Sequence, residues 1–185
     1  DPSARLVHHL LEQGAIGTPY MGLFHSHSPG NTSFITPWRH RKERGGALLD
    51  MAVHFTHMIR YQLGQIAEVS SDARLVEPVR YKAAETKSPY TFYRTQFGEM
   101  ETQVKATAED TSLAMFRMES GAAVSWMVGL GGHGSCHREL ILGARGCIEG
   151  FGTRGGRVSL KRAGQDELTQ ETLLAQTPGF ALDPL

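Results

Sequence analysis

Asp50 and His54 stand four residues apart in the stretch Gly45-Gly46-Ala47-Leu48-Leu49-Asp50-Met51-Ala52-Val53-His54-Phe55-Thr56-His57-Met58-Ile59-Arg60-Tyr61-Gln62-Leu63-Gly64. On an α-helix that spacing sets a carboxylate and an imidazole one above the other, within reach of a single bound molecule. His57 and Tyr61 continue the same titratable face. Asp and His at this spacing also occur as solvent-facing pairs that stabilise a helix by about 0.2–0.5 kcal/mol. The spacing alone leaves both readings open.

The element that carries these groups reads as a helix. Leu48, Met51, Ala52, Phe55, Met58, Ile59 and Leu63 step by three and four, which places them on one apolar stripe turned away from Asp50 and His54. Gly45 and Gly46 allow another backbone or a ligand to approach the helix start closely, and Gly64 suits a left-handed C-cap. Upstream, Pro29 to Phe34 and Pro37-Trp38-Arg39 read as a loop that runs into Arg39-His40-Arg41-Lys42-Glu43-Arg44. Such a loop delivers Trp38, Arg39 and Lys42 to the helix start as one wall of a pocket. The alternative is that Arg39, Arg41 and Lys42 are only solvated.

Length and composition bound the rest. The chain has 185 residues, which suits one domain with a real core, and 19 basic residues balance 19 acidic ones. No general field favours nucleic acid or an anionic membrane, and no apolar run approaches the ~20 residues of a membrane span. The two cysteines, Cys136 and Cys147, form no CxxC and are expected to be reduced and buried, as in a cytoplasmic protein. Histidine is plentiful, with nine residues. The chain starts with no signal-peptide pattern and goes directly into a helix over residues 1–14. That opening leads us to expect the back part of something longer.

Tyr20 to Ser28 alternates as a strand and puts His25 and His27 on one face, where an exposed polar face outweighs a metal pair. Ile66 to Val76 reads as a strand. Residues 77–105 are polar, without sustained period, and read as a long excursion, a lid or a subunit contact. Thr111–Met118 and Ala122–Val128 form a hairpin. Leu130 to Ser135 is a Gly-rich link, and 138–142 with 147–149 form a second hairpin. Residues 157–162 and 168–174 are expected as the last strands. Quick hairpins require antiparallel pairing, so the expected fold is α+β, a predominantly antiparallel open-faced sheet with helices on one face. Gly150-Phe151-Gly152-Thr153-Arg154-Gly155 matches GxGxxG, but a strand pattern follows it where a dinucleotide fingerprint must open a helix, so it is rejected as a cofactor loop.

The order of motifs resembles the Gfo/Idh/MocA oxidoreductases. Ser3-Ala4-Arg5-Leu6 to Gly14-Ala15-Ile16-Gly17, Trp38-Arg39, Gly45 to His54, Glu109-Asp110-Thr111 to Ala122, and the hairpin Glu139 to Gly150 carry the likeness. It covers nearly the whole chain, residues 1–185, and only the family's C-terminal domain. That domain is like the C-terminal domain of glyceraldehyde-3-phosphate dehydrogenase. The resemblance implies substrate binding and oligomerisation here, with NAD or NADP held mainly by a Rossmann domain absent from this sequence. It implies His54 as general acid/base and Asp50 as the group that orients the substrate hydroxyl and the histidine, with His57, Trp38, Arg39 and Lys42 binding substrate. The chemistry is coherent, since imidazole, with an ordinary pKa near ~6.5, can take a hydroxyl proton as hydride leaves carbon. The implied substrate is a sugar or polyol, and the implied partner is a second copy meeting the outer sheet face, for which Trp126, Met127 and Val128 are the expected residues.

Departures from the pattern are His57, where the family more often has Asp or Asn, Ala52 for a frequent Gly, and His133 and His137, which have no counterpart. They leave a redox-assisted glycoside-cleaving variant, a metal-dependent variant built on Asp50, His54, His57 and a distant histidine, and a non-catalytic assembly module as alternatives.

Overall fold

The computed structural model describes residues 2–28, 32–33, 37–86, 88–132, 134–150 and 157–177. Strand alternation builds its main layer. In β6 (Thr111–Met118) Ser112, Ala114, Phe116 and Met118 are buried while Leu113, Met115 and Arg117 face solvent. β7 (Ala123–Gly129) returns beside it through the Glu119-Ser120-Gly121 turn, as its composition requires. β8 (Cys136–Gly143) and β9 (Gly146–Gly150) form the second hairpin, and β10 (Val158–Arg162) adds antiparallel to β9. With β1 (Pro19–His27) and β3 (Ile66–Arg74) they make a seven-stranded sheet in the order β10-β9-β8-β1-β7-β6-β3. Every pairing is antiparallel except β1 with β7.

Helices cover one face of this sheet. α1 (Pro2–Glu12) contributes Leu6, Val7 and Leu10, and α2 (Gly46–Leu63) contributes Phe55, Ile59 and Leu63, to a core shared with Phe24, Phe116, Trp126, Ile141 and Ile148. Leu48, Met51, Ala52 and Met58 pack around it, so the expected stripe of α2 is the buried one. Gly46 has φ +74°, and a Cβ there would sit 2.5 Å from Ala108 Cβ, so the glycine admits another stretch of the chain at the helix start. Gly64 does take a positive φ of +89°, but its ψ of −157° lies outside the left-handed helical cap.

Several expectations are corrected. Residues 168–174 are not a strand. Leu168 makes only an isolated bridge to Leu160, and α4 (Gln170–Gln176) follows, with Thr169 Oγ1 accepting the Thr172 N–H at the helix start and Leu173 buried. The excursion at 77–105 carries β4 (Val79–Lys82), α3 (Thr91–Glu99) and β5 (Gln103–Lys105), which with β2 (Thr32–Ser33) form a small second sheet, β2-β4-β5. Its own core is Phe97, Met100 and Val104. Cys136 is exposed and Cys147 half-buried, both as free thiols, since they lie toward the outer parts of β8 and β9. Trp126 and Val128 point into the core, opposite Ala114 and Ser112, so of the three residues expected on the outer face only Met127 is there. That outer face is instead marked by Leu113 and Met115, exposed by 55% and 57%, beside Met127 and Leu23.

Candidate functional site

Two short 3-10 turns, Pro37–His40 and Lys42–Arg44, lead into α2. They are clamped from the segment between β5 and β6. The His40 carbonyl accepts the N–H groups of Thr107 at 2.8 Å and Ala108 at 3.1 Å, and the Lys42 N–H donates to Thr107 Oγ1 at 3.0 Å. Ala108 is also the residue seated against Gly46. The clamp sets Arg39 across the first turns of α2, where its Nε lies 3.1 Å from Asp50 Oδ2. Both side chains are about 30% exposed (30% and 28%), and Arg39 Nε, shielded from solvent, makes no aligned hydrogen bond among the described residues, so the contact is an ion pair by proximity. The Arg39 guanidinium also lies 5.6 Å from the centre of the exposed Trp38 ring.

His54 and His57 are exposed on the polar face of α2, and neither ring is bonded to another described residue; no hydrogen bond joins Asp50 to His54. Lys42, expected against substrate, extends instead to Glu109 at 2.7 Å, and this contact holds the Glu109 carboxyl below the usual range. The structure therefore brings Trp38, Arg39 and Asp50 together at the start of α2, with His54 one turn further along the same helix, and pairs Lys42 with Glu109. Tyr61, farther along the same face, stacks on His8 with ring centres 4.1 Å apart.

The residues that position this wall were not singled out in the sequence. His40 is buried, and burial, then the nearby Arg80 and Arg39 guanidiniums, lower its pKa to about 4, with Asp110 opposing them. The unfolded ring titrates near ~6.5, so between those values the unfolded state binds the extra proton. Stability is expected to fall as pH drops from 6.5 toward 4. The loss is on the order of 2 kcal/mol, allowing for screening at the ring's edge. Urea unfolding of the parent and of His40→Gln across that window should show the slope shrinking in the variant.

Of the other expectations, His25 Nε2 lies 3.0 Å from Ser125 Oγ and His27 Nδ1 lies 2.7 Å from the Gly134 carbonyl, so the two rings serve separate contacts. Among the described residues no group of three or more His, Cys, Asp or Glu side chains is arranged to hold a metal ion. Residues 151–156 and His133 lie outside the described residues. The described strands on either side, β9 and β10, pair antiparallel from Gly150↔Val158 to Gly146↔Arg162. No helix among the described residues is long and apolar enough to cross a membrane.

Residues 4–155 match the family model described as GFO/IDH/MocA C-terminal domain. No curated protein matches the chain. Among solved structures, a levoglucosan dehydrogenase in complex with NADH and L-sorbose is 23% identical with a TM-score of 0.70, over 91% of this chain and 44% of that one. An NAD-binding oxidoreductase from Klebsiella pneumoniae is 21% identical with a TM-score of 0.73, over 99% of this chain and 47% of that one. An oxidoreductase from Agrobacterium radiobacter, in complex with NAD+, L-tartaric acid and magnesium, is 18% identical with a TM-score of 0.65, over 94% and 49%. These likenesses establish a shared fold, and the chain spans less than half the length of the structures it matches.

Proposed function

The chain belongs to the GFO/IDH/MocA family, and on that footing we propose that it is the substrate-binding part of an NAD(P)-dependent oxidoreductase acting on a sugar or polyol hydroxyl. The observation that carries the reading is Asp50, held by Arg39, one helical turn from an exposed and unbonded His54. A substrate hydroxyl that meets this face finds a carboxylate acceptor already oriented and an imidazole ready to take its proton. Trp38 offers an aromatic wall on which the apolar face of a sugar ring can lie, and His57 extends the polar surface along α2. The nicotinamide, when bound, supplies the hydride acceptor. We assign its phosphates to a separate dinucleotide-binding domain of the same enzyme, a reading supported by the chain's covering less than half of the NADH- and NAD+-bound structures it matches. The complexes of the levoglucosan dehydrogenase and the Agrobacterium radiobacter enzyme with nicotinamide and a polyhydroxylated compound support the substrate class. The two free cysteines and balanced charge support a cytoplasmic setting.

The test is dinucleotide reduction by the full-length polypeptide that contains this domain, with NAD+ and NADP+ against D-glucose, D-sorbitol, myo-inositol, L-sorbose, levoglucosan and L-tartrate. Turnover with at least one compound is expected, and none with any would sink the reading.

The same proposal includes a homo-oligomer formed through the outer sheet face, supported by the exposed apolar pair Leu113 and Met115. Leu113→Glu together with Met115→Glu is expected to lower the mass measured by light scattering to that of a smaller assembly. An unchanged mass would place the interface elsewhere.

A further inference from the structure

One polar cluster on the helix-bearing face of the sheet is used by nothing described so far. The β1–β8 register sets Phe24 opposite Glu139 and Ser26 opposite His137. Phe24 and Ser26 are buried, so all four side chains share the inner face. Ser26 Oγ and His137 Nδ1 are 3.1 Å apart. Glu139 Oε1 is withdrawn from solvent with no hydrogen-bond partner among the described residues, and burial raises the carboxyl pKa to about 7. Its Oε2 lies beside Gly150, the cross-strand neighbour, where a Cβ would come within 3.1 Å. A cavity of about 10 Å³ opens between Ser26, Phe55, His137 and Glu139. That is room for about one oxygen atom. Phe55 directly follows His54 in α2.

Burying a carboxyl oxygen without a donor is unfavourable, and a leucine at the same place would avoid the cost. The arrangement becomes favourable when one donor enters. We infer that Ser26, His137 and Glu139 form a hydroxyl-recognising subsite beneath Phe55, in which Glu139 Oε1 receives one hydroxyl of a polyhydroxylated substrate. This deepens the function proposed above and rests on it. The size of the cavity limits the occupant to one oxygen-sized group, so a substrate would enter by a single hydroxyl with the rest of the molecule extending outward toward the exposed His137. The Ser26–His137 pair offers that hydroxyl a second contact, as donor or acceptor according to the imidazole tautomer.

The experiment uses the full-length polypeptide and the compound of the panel above with the highest kcat/KM. Glu139→Leu is expected to raise KM for that compound about ten-fold or more, with kcat and KM for the dinucleotide nearly unchanged and with melting temperature held or raised. Glu139→Gln, which keeps shape and one acceptor, is expected to fall between and decides the matter if the leucine variant does not fold. KM for that compound unchanged in both variants, or a loss confined to kcat, overturns the subsite while leaving the oxidoreductase reading intact. If the unsubstituted enzyme oxidises nothing in the panel, the oxidoreductase reading fails by itself. The subsite is then judged by the Glu139 carboxyl ¹³C resonance on titration with D-sorbitol, where a shift supports it and a static resonance overturns it.

Discussion

His54→Ala is expected to lower kcat for dinucleotide reduction by about 10²–10⁴-fold, the usual worth of a positioned general base. The expectation follows from what the ring is not doing. It packs against no core residue and bonds to no described neighbour, so its removal leaves the fold intact and takes away only the proton acceptor. Stability should therefore change by no more than the small range of surface substitutions, about 0.5 kcal/mol. Asp50→Asn should act differently, because Asp50 is tied to Arg39. The amide keeps the shape but discards the charge that draws Arg39 onto the helix, so both kcat and KM should worsen. His54→Ala with full activity would remove the acid–base role and leave the assembly reading in front.

The helix that carries this pair was legible because its apolar stripe and its flanking glycines agree on one answer, from Leu48 to Leu63. The two hairpins were legible for the same reason, with turn residues between alternating runs. What escaped depends on contacts distant in sequence. The parallel pairing of β1 with β7 joins Met21 to Ala123, about a hundred residues away, and no local pattern announces it. The inward face of Trp126 is fixed by register with Ala114 and Phe24, whereas its size and aromatic character suit an interface equally well. Residues 168–174 misled because a short run with Leu and Thr satisfies either period. Thr169, acting as a cap, decides for the helix. In the site, the sequence indicated Arg39 and Asp50 separately, as loop and helix residues. Their pairing required the clamp by Thr107 and Ala108, which lies beyond α3 and β5. Glu139 gave no signal either, since a lone acidic residue in a strand reads as solvent-facing until the register turns it inward.

The largest stability effect is expected at Asp110. Its carboxylate and the Arg80 guanidinium are 3% and 2% exposed and pair at 2.6 Å. Asp110 Oδ1 also accepts the Val76 N–H at 2.9 Å and the Thr111 hydroxyl at 3.2 Å, and Oδ2 accepts the Glu77 N–H at 2.9 Å. Arg80 donates in addition to the Leu130 carbonyl. One buried pair thus ties the start of β6, the exit of β7 and the β3–β4 connection to the small sheet. Asp110→Ala leaves a buried guanidinium uncompensated and strands two backbone donors, so a loss of about 3–5 kcal/mol is expected in urea unfolding. Arg80→Met together with Asp110→Leu should recover part of that loss, because two apolar groups leave no buried charge behind. A double variant as unstable as Asp110→Ala would show that the backbone N–H bonds, and not the ion pair, dominate. The effect should also reach the candidate site. Thr107 and Ala108, which hold the Arg39 turn and the start of α2, lie three and two residues before Asp110 on the same connection. In Asp110→Asn, which keeps the shape of the side chain, KM is expected to rise at temperatures where the fold is still intact. The Arg39–Asp50 contact would then be loosened through the clamp without either residue being changed.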